Sequence, residues 1–230
     1  MSALIFDVDG TLAETEEAHR AAFNATFARH GLGWHWDRAT YRRLLAVTGG
    51  KERIAAFLHE SGTPDRLDPK AIRALHAEKT EAFTRRVARG LPPKPGILDL
   101  VAQARQEGRA LAIATTTTRA NVEALVLAIW HRPAEEVFDV IAAGDEVACK
   151  KPAPDVYHLA LSRLGLPAQE AIAFEDSGNG VRAARAAGLR VIAAASDYTD
   201  PAELAGADLI VPGFDAAEVR DLLAGRARAG

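Results

Sequence analysis

Leu4-Ile5-Phe6-Asp7-Val8-Asp9-Gly10-Thr11-Leu12 decides how the rest of the chain is read. The apolar run at 4–6 predicts a short buried strand. It leads straight into two carboxylates, Asp7 and Asp9, which alternation along an extended chain places on the same side. Gly10 permits a sharp turn or a close approach of another group to the backbone. Open parallel sheets hold their ligands at the carboxyl ends of their strands, so an acid pair at that point suggests chemistry. Taken alone, the same Asp-x-Asp would also serve as a loop or a helix cap.

Outward from that stretch the chain has two textures. Residues 14–30 predict a helix with Ala18, Ala21, Ala22, Ala25 and Phe27 inward and Gly31 as its stop. Helices are expected at 37–47, 51–59 and 69–89, and nothing between 14 and 90 resembles a strand. Gly90-Leu91-Pro92-Pro93-Lys94-Pro95-Gly96 has the composition of a linker. Beyond it, predicted strands at 110–114, 137–143, 171–174, 190–194 and 208–211 alternate with helices at 97–107, after 118, at 155–164, at 178–187, near 201–205 and near 215–224. That alternation implies an α/β fold with a doubly wound parallel sheet. The expected division is a core of residues 1–13 and 94–230 interrupted by an inserted all-helical cap at 14–93.

Composition narrows the function classes. The 230 residues carry a net charge of −3, with 48% hydrophobic and 26% charged residues. No basic stripe speaks for nucleic acid, and no apolar run reaches the roughly 18 residues of a membrane helix. A single cysteine, Cys149, rules out an internal disulfide and suits a reducing compartment. The first strand begins within a few residues of Met1, so no leader is expected. A cytoplasmic monomer acting on a small molecule is the resulting expectation.

Four clusters fall at predicted strand ends: Asp7 to Thr11, Thr115, Lys151 in Lys150-Lys151-Pro152-Ala153-Pro154-Asp155, and Glu175-Asp176. Strand ends in an open sheet converge on one crevice, so these clusters can meet. Asp7, Asp9, Glu175 and Asp176 together need a cation to stay ionised. An all-oxygen set favours a hard metal, Mg²⁺ above all. Lys151 would balance a phosphoryl group, and Thr115 with the amides of the following helix would hold its oxygens. One aspartate can then be a nucleophile and the other a general acid and base. Asp7, first out of the strand, is the better nucleophile, and Asp9 lies nearer the cap and the leaving group. Thr115 alone could cap a helix and Lys151 alone could be solvated, but the set at strand ends in one chain is not explained that way.

The motifs Asp-Val-Asp-Gly-Thr (7–11), Thr115, Lys-Pro-Ala-Pro-Asp (151–155) and Glu-Asp-Ser (175–177) resemble the four motifs of the haloacid dehalogenase-like phosphatases. That resemblance implies a Rossmann-like core with a helical cap after the first strand. It implies Asp7 as nucleophile and Asp9 as acid/base. Mg²⁺ would be held by the Asp7 carboxylate, the Asp9 carbonyl and Asp176, with Glu175 a direct or water-mediated ligand. Thr115 and Lys151 would bind the transferring phosphoryl group.

The runs at 14–19, 48–54, 114–117, 144–147 and 150–157 are similar to the CbbY-type members, which implies a phosphorylated sugar, xylulose 1,5-bisphosphate, as substrate. The β-phosphoglucomutase-like mutases share this core and cap, and a catalytically idle sugar-phosphate sensor is the reading from another class. A bisphosphate needs a second anion site. Gly50, Lys51 and Arg53, in a glycine loop over the site, are expected to grip that phosphate, since Arg suits bidentate contact. Their alternative is a plain glycine turn before an exposed helix start. Glu17 is expected on sugar hydroxyls and His19 on the linker or substrate, with Glu16 on an exposed helix face. Thr116, Thr117 and Asn121 are expected near substrate, and Trp34 and Trp36 in the core of the cap. Lys150 is either a second phosphate-site charge or solvated.

Overall fold

β1 (Ala3–Phe6) is buried at all four residues and pairs in parallel with a strand on each side. The computed structural model describes residues 1–62 and 67–224. After β1 come four helices, α1 (Glu16–Arg29), α2 (Arg38–Leu44), α3 (Gly50–Ser61) and α4 (Pro69–Val87). Then follow α5 (Ile97–Gln106), β2 (Ala110–Ala114), α6 (Arg119–Trp130), α7 (Ala134–Val137), β3 (Val140–Ala142) and α8 (Asp155–Leu164). The chain closes with β4 (Ala171–Glu175), α9 (Gly178–Ala186), β5 (Arg190–Ala193), β6 (Leu209–Ile210) and α10 (Ala217–Leu223).

The sheet is parallel throughout, in the order β3-β2-β1-β4-β5-β6. The chain winds one way from β1 to β3 and the other way from β4 to β6. This reversal beside β1 opens the crevice that doubly wound folds use for ligands. Both faces are covered, which is why the strands are continuous apolar runs. Alternation gives the two faces different textures. Leu4, Phe6, Leu111, Ile113, Ile172 and Phe174 join the core under α5, α6 and α10. Their neighbours Ala3, Ala112, Ala114, Ala171 and Ala173 face α8 and α9, and their small side chains let those helices lie close.

The helices between β1 and α5 have their own core. Phe23, Phe27, Trp34, Trp36, Tyr41, Leu44, Ile54 and Leu75 pack together. Trp34 and Trp36 are thus interior, as expected of them. Tyr198, from the loop after β5, belongs to the same cluster, edge-on to Tyr41 at 5.7 Å with the Arg38 guanidinium 4.9 Å from its ring centre. Beneath it Lys94 donates to Glu14 at 2.8 Å and to the Ala195 carbonyl at 2.9 Å. No helix among the described residues is long and apolar enough to cross a membrane.

Several expectations need correcting. The strand predicted at 137–143 is shorter, because Pro133 and the acidic pair Glu135-Glu136 start a helical turn that runs through Val137. The inward face of α1 is Ala18, His19, Ala22, Phe23, Thr26 and Phe27, and Ala25 is exposed. The helix expected at 37–47 ends at Leu44, and a looser turn carries the chain to Val47.

Candidate active site

Register brings the strand-end residues level. Phe6 pairs with Ile113 on one side and Phe174 on the other, so Asp7, Ala114 and Glu175 emerge side by side. The Asp7 amide donates to the Phe174 carbonyl, and the Thr115 amide to the Ala142 carbonyl. A cleft of about 400 Å³ opens over these ends, with the helical segment forming its roof.

Lys151 is the centre of the floor. Its ammonium, 3% exposed, donates to Asp7 Oδ1 at 2.7 Å and to Glu175 Oε1 at 2.6 Å. These carboxylates hold its pKa above the ordinary lysine value although burial alone would lower it. Tyr157 also donates to Glu175 Oε1 at 2.6 Å, and the Asp176 amide reaches Oε2 at 3.2 Å. Glu175 is therefore already well supplied with donors. Asp7, Glu175 and Asp176 each offer an oxygen within 4.8 Å of the others. Burial, then Asp7 and Glu175, push Asp176 well above the usual carboxylate range. Burial likewise pushes Asp7 up to about 7 despite Lys151. Three buried acids against one lysine leave excess negative charge, and an all-oxygen set of this kind fits a hard divalent cation.

Two glycines make the packing possible. Gly10 has φ +81, and a Cβ there would lie 2.1 Å from Asp176 Oδ2. A Cβ on Gly180 would stand 1.9 Å from Glu175 Oε2. Side chains at either position would displace the acid cluster.

Asp9 faces the roof instead. Its Oδ1 accepts from the Thr15 hydroxyl at 2.6 Å and from His19 Nε2 at 3.0 Å. Thr15 stands at the N-cap of α1 but makes no side-chain cap bond, because its hydroxyl is turned to Asp9. His19 Nδ1 lies 2.6 Å from the Lys79 ammonium. An ammonium only donates, so Nδ1 accepts and Nε2–H donates to Asp9. Burial would raise the Asp9 pKa, but His19, Thr15 and Lys79 together hold it below the usual carboxylate range. Burial and Lys79 hold His19 below its ordinary value, so its ring is neutral.

The residues expected near substrate divide. Gly50, Lys51, Arg53, Thr116, Thr117 and Asn121 line the cleft. Asn121 is 1% exposed, its amide donates to Thr117 Oγ1 at 2.8 Å, and its Oδ1 has no partner among the described residues. Lys51 is bound to Asp145 at 2.7 Å. Arg53 is enclosed, donating to the Leu44 carbonyl and the Tyr41 hydroxyl at 3.2 Å each. Glu17 is not in the cleft wall; it accepts from Arg20 and Tyr198. Glu16 is, and it is not on an exposed face: Tyr41 donates to it at 2.7 Å. Lys150 lies 3.7 Å from Glu52 and 3.8 Å from Asp145, so it is neither solvated nor free. Thr48 bonds its hydroxyl to the Lys151 carbonyl across the cleft.

Lys79, His76, Thr15, Arg42 and Arg182 are cleft or site residues that pattern reading does not pick out. For Lys79 a signal existed. Leu75, Lys79, Phe83 and Val87 recur every four residues on the buried face of α4, and a lysine among them is out of place.

Residues 1–188 match the family model of the haloacid dehalogenase-like hydrolases. The chain is 55% identical over 216 residues to Protein CbbY of Cereibacter sphaeroides, covering 93% of each. It is 34% identical over 192 residues to the fructose-1-phosphate phosphatase YqaB of Escherichia coli, covering 83% of this chain and 95% of that one. A crystal structure of CbbY from Rhodobacter sphaeroides in complex with xylulose-(1,5)bisphosphate superposes with a TM-score of 0.89 at 53% identity, covering 93% of this chain and 95% of that one.

Proposed function

Since the chain belongs to the haloacid dehalogenase-like hydrolases and is a phosphatase, we propose that it removes the 1-phosphate of xylulose 1,5-bisphosphate, with Mg²⁺ as cofactor and Asp7 as nucleophile. The observation that carries this is the split between the two aspartates. Asp7 sits among Lys151, Glu175 and Asp176 on the floor, whereas Asp9 is held by Thr15 and His19 from the roof. Two acids in unlike surroundings can take unlike roles.

In this mechanism Lys151 and Thr115 hold the phosphoryl oxygens and the Asp7 carboxylate attacks phosphorus. The P–O bond to the sugar breaks, and the leaving oxygen takes its proton from Asp9. Water, deprotonated by Asp9, then attacks the aspartyl phosphate, releasing phosphate and restoring Asp7. Asp9 as hydrogen-bonded here is ionised, which suits the second step. A phosphoryl group placed beside it adds negative charge and raises its proton affinity for the first. Asp7, Asp176 and the Asp9 carbonyl would hold Mg²⁺, with Glu175 acting through water since Lys151 and Tyr157 already occupy it. When bound, the ion supplies positive charge against the phosphoryl oxygens. The unspent Oδ1 of Asn121 gives a sugar hydroxyl an acceptor.

The test is phosphate release with and without Mg²⁺ from xylulose 1,5-bisphosphate, ribulose 1,5-bisphosphate, fructose 1-phosphate, β-glucose 1-phosphate and p-nitrophenyl phosphate, with Asp7→Asn as control. Preference for the first, lost in the control, is expected. Slow release from all five would sink the substrate assignment. Phosphoryl return to a sugar rather than to water would mark a mutase.

A further inference from the structure

We propose that Tyr157 is a positioning residue that sets which cation the acid cluster prefers: its hydroxyl keeps Glu175 from direct ligation and so leaves one place on the ion to water. This rests on the metal reading above. Tyr157 stands in the first turn of α8, behind the sheet, and is fully buried. It packs in one cluster with Ala112, Ala114, Ala142 and Ala173, and those small side chains leave room for its ring under the strand ends. From there its hydroxyl reaches Glu175, the last residue of β4, at 2.6 Å, while the Lys151 ammonium stands 5.0 Å from the ring centre. Neither Tyr157 nor Glu175 lines the cleft, so the hydroxyl works through the carboxylate and not on a substrate.

The donors on Glu175 can be set against its lone pairs. An ionised carboxylate has about four acceptor positions. Oε1 takes the Tyr157 hydroxyl and the Lys151 ammonium at 2.6 Å each. Oε2 takes the Asp176 amide at 3.2 Å and the Ser177 hydroxyl at 3.5 Å. The two short bonds both fall on Oε1. On the other side Gly180 is so close that a Cβ there would stand 1.9 Å from Oε2, which leaves the carboxylate little room to swing. Asp7 and Asp176, by contrast, do line the cleft. Glu175 therefore lends the cluster its charge without lending an oxygen.

That distinction separates two hard cations. Mg²⁺ keeps several waters and demands near-octahedral geometry, whereas Ca²⁺ takes roughly six to eight oxygens and adapts to an added carboxylate. A cluster with one carboxylate held back suits the smaller ion. Without the Tyr157 hydroxyl, a buried lone pair of Glu175 loses its donor, and such a group is costly to leave unpaired. A cation in the cluster is the partner at hand. Glu175 then becomes a direct ligand, and the ion that accepts more oxygens gains by it.

The experiment is calorimetric titration of the whole protein with Mg²⁺ and, separately, with Ca²⁺. The proteins are wild type, Tyr157→Phe, Glu175→Gln, the double variant and Asp176→Asn. Phe keeps the ring and its packing, and thermal melts report folding. In Tyr157→Phe the ratio of dissociation constants, Ca²⁺ over Mg²⁺, is expected to fall about tenfold, the size of change seen when an outer hydrogen bond of a metal site is lost. The double variant should shift that ratio no further than Glu175→Gln alone, because both changes act through one carboxylate. An unchanged ratio in Tyr157→Phe, including an equal loss for both ions, overturns this proposal alone. So does a shift in the double variant that is the sum of the single ones. Wild type that binds no Mg²⁺, or binds it as well with Asn at 176, overturns the metal reading and this proposal with it.

Discussion

The Lys79 ammonium lies 2.6 Å from Nδ1 of His19 and faces the rings of Phe23 and Phe83, a strongly polar group in an aromatic niche. His19 itself stacks on Phe83 at 3.8 Å. This contact, between residues 60 apart in sequence, fixes the tautomer that donates to Asp9.

Lys79→Met should therefore lower kcat about tenfold to a hundredfold while KM changes much less, the size of loss seen when a supporting hydrogen bond is removed. Lys79 helps hold the Asp9 pKa down, so its loss should move the acidic limb of the pH–rate profile upward. Steady-state kinetics from pH 5 to 9 checks this. An unchanged profile with a uniform fall in rate would mean lost packing instead of lost positioning.

The same lysine should leave a mark on stability. Burial pulls its pKa from 10.5 to about 7 in the folded protein. Between those values the unfolded chain binds the extra proton, so this group makes stability rise with pH across that window. Denaturant unfolding at pH 7, 8 and 9 should show wild type gaining on Lys79→Met by up to a few kcal/mol. A constant difference between the two proteins would show that Lys79 keeps an ordinary pKa.

Mg²⁺ should stabilise the protein by relieving the repulsion among Asp7, Glu175 and Asp176. At a hundredfold excess over its dissociation constant the gain is about 2.7 kcal/mol. Thermal melts with Mg²⁺ and with chelator should differ in that direction. Asp176→Asn should raise the melting temperature of the metal-free protein and shrink the Mg²⁺ effect. An equal Mg²⁺ shift in Asp176→Asn would exclude Asp176 as a ligand.

Gly10→Ala should be severe for two separate reasons. An Ala is strained at φ +81, and its methyl would overlap Asp176. We expect a loss of roughly 1–3 kcal/mol in unfolding free energy, together with near-complete loss of turnover. Gly31→Ala, also at positive φ but with nothing within 4 Å, should show only the backbone part of the stability loss and keep its activity.

Much of this arrangement can be read from the chain, for a physical reason. A central parallel strand must be apolar throughout, so 4–6 declares itself and the acids after it stand out. Once strands of equal texture follow at 110 and 171, their ends fall level, and Thr115 and Asp176 come beside Asp7. Contacts made across the helical segment lack such a rule. Thr15 has the signature of a helix cap, yet its hydroxyl goes to Asp9. Glu16 has the pattern of an exposed residue until Tyr41 arrives from α2. Arg53 lines the cleft, but the sequence does not announce that the Leu44 carbonyl and the Tyr41 hydroxyl hold two of its donors. Each of these depends on a partner whose position only the packed helices determine.

The placement of Tyr198 sets how the roof can lift. A tyrosine from the core is buried in the aromatic cluster of the helices, and the Glu14–Lys94–Ala195 contacts knit both crossing strands of chain to the same loop. The opposite edge is joined by the part-exposed Lys51–Asp145 pair and the Thr48 bond to Lys151. Buried aromatic contact is hard to break and a solvated ion pair is easy. The roof therefore has a fulcrum at Tyr198 and a latch at Lys51. If the roof lifts, the contacts at Lys51 and Thr48 give way before the Tyr198 cluster does, which puts the opening on the side of the glycine loop.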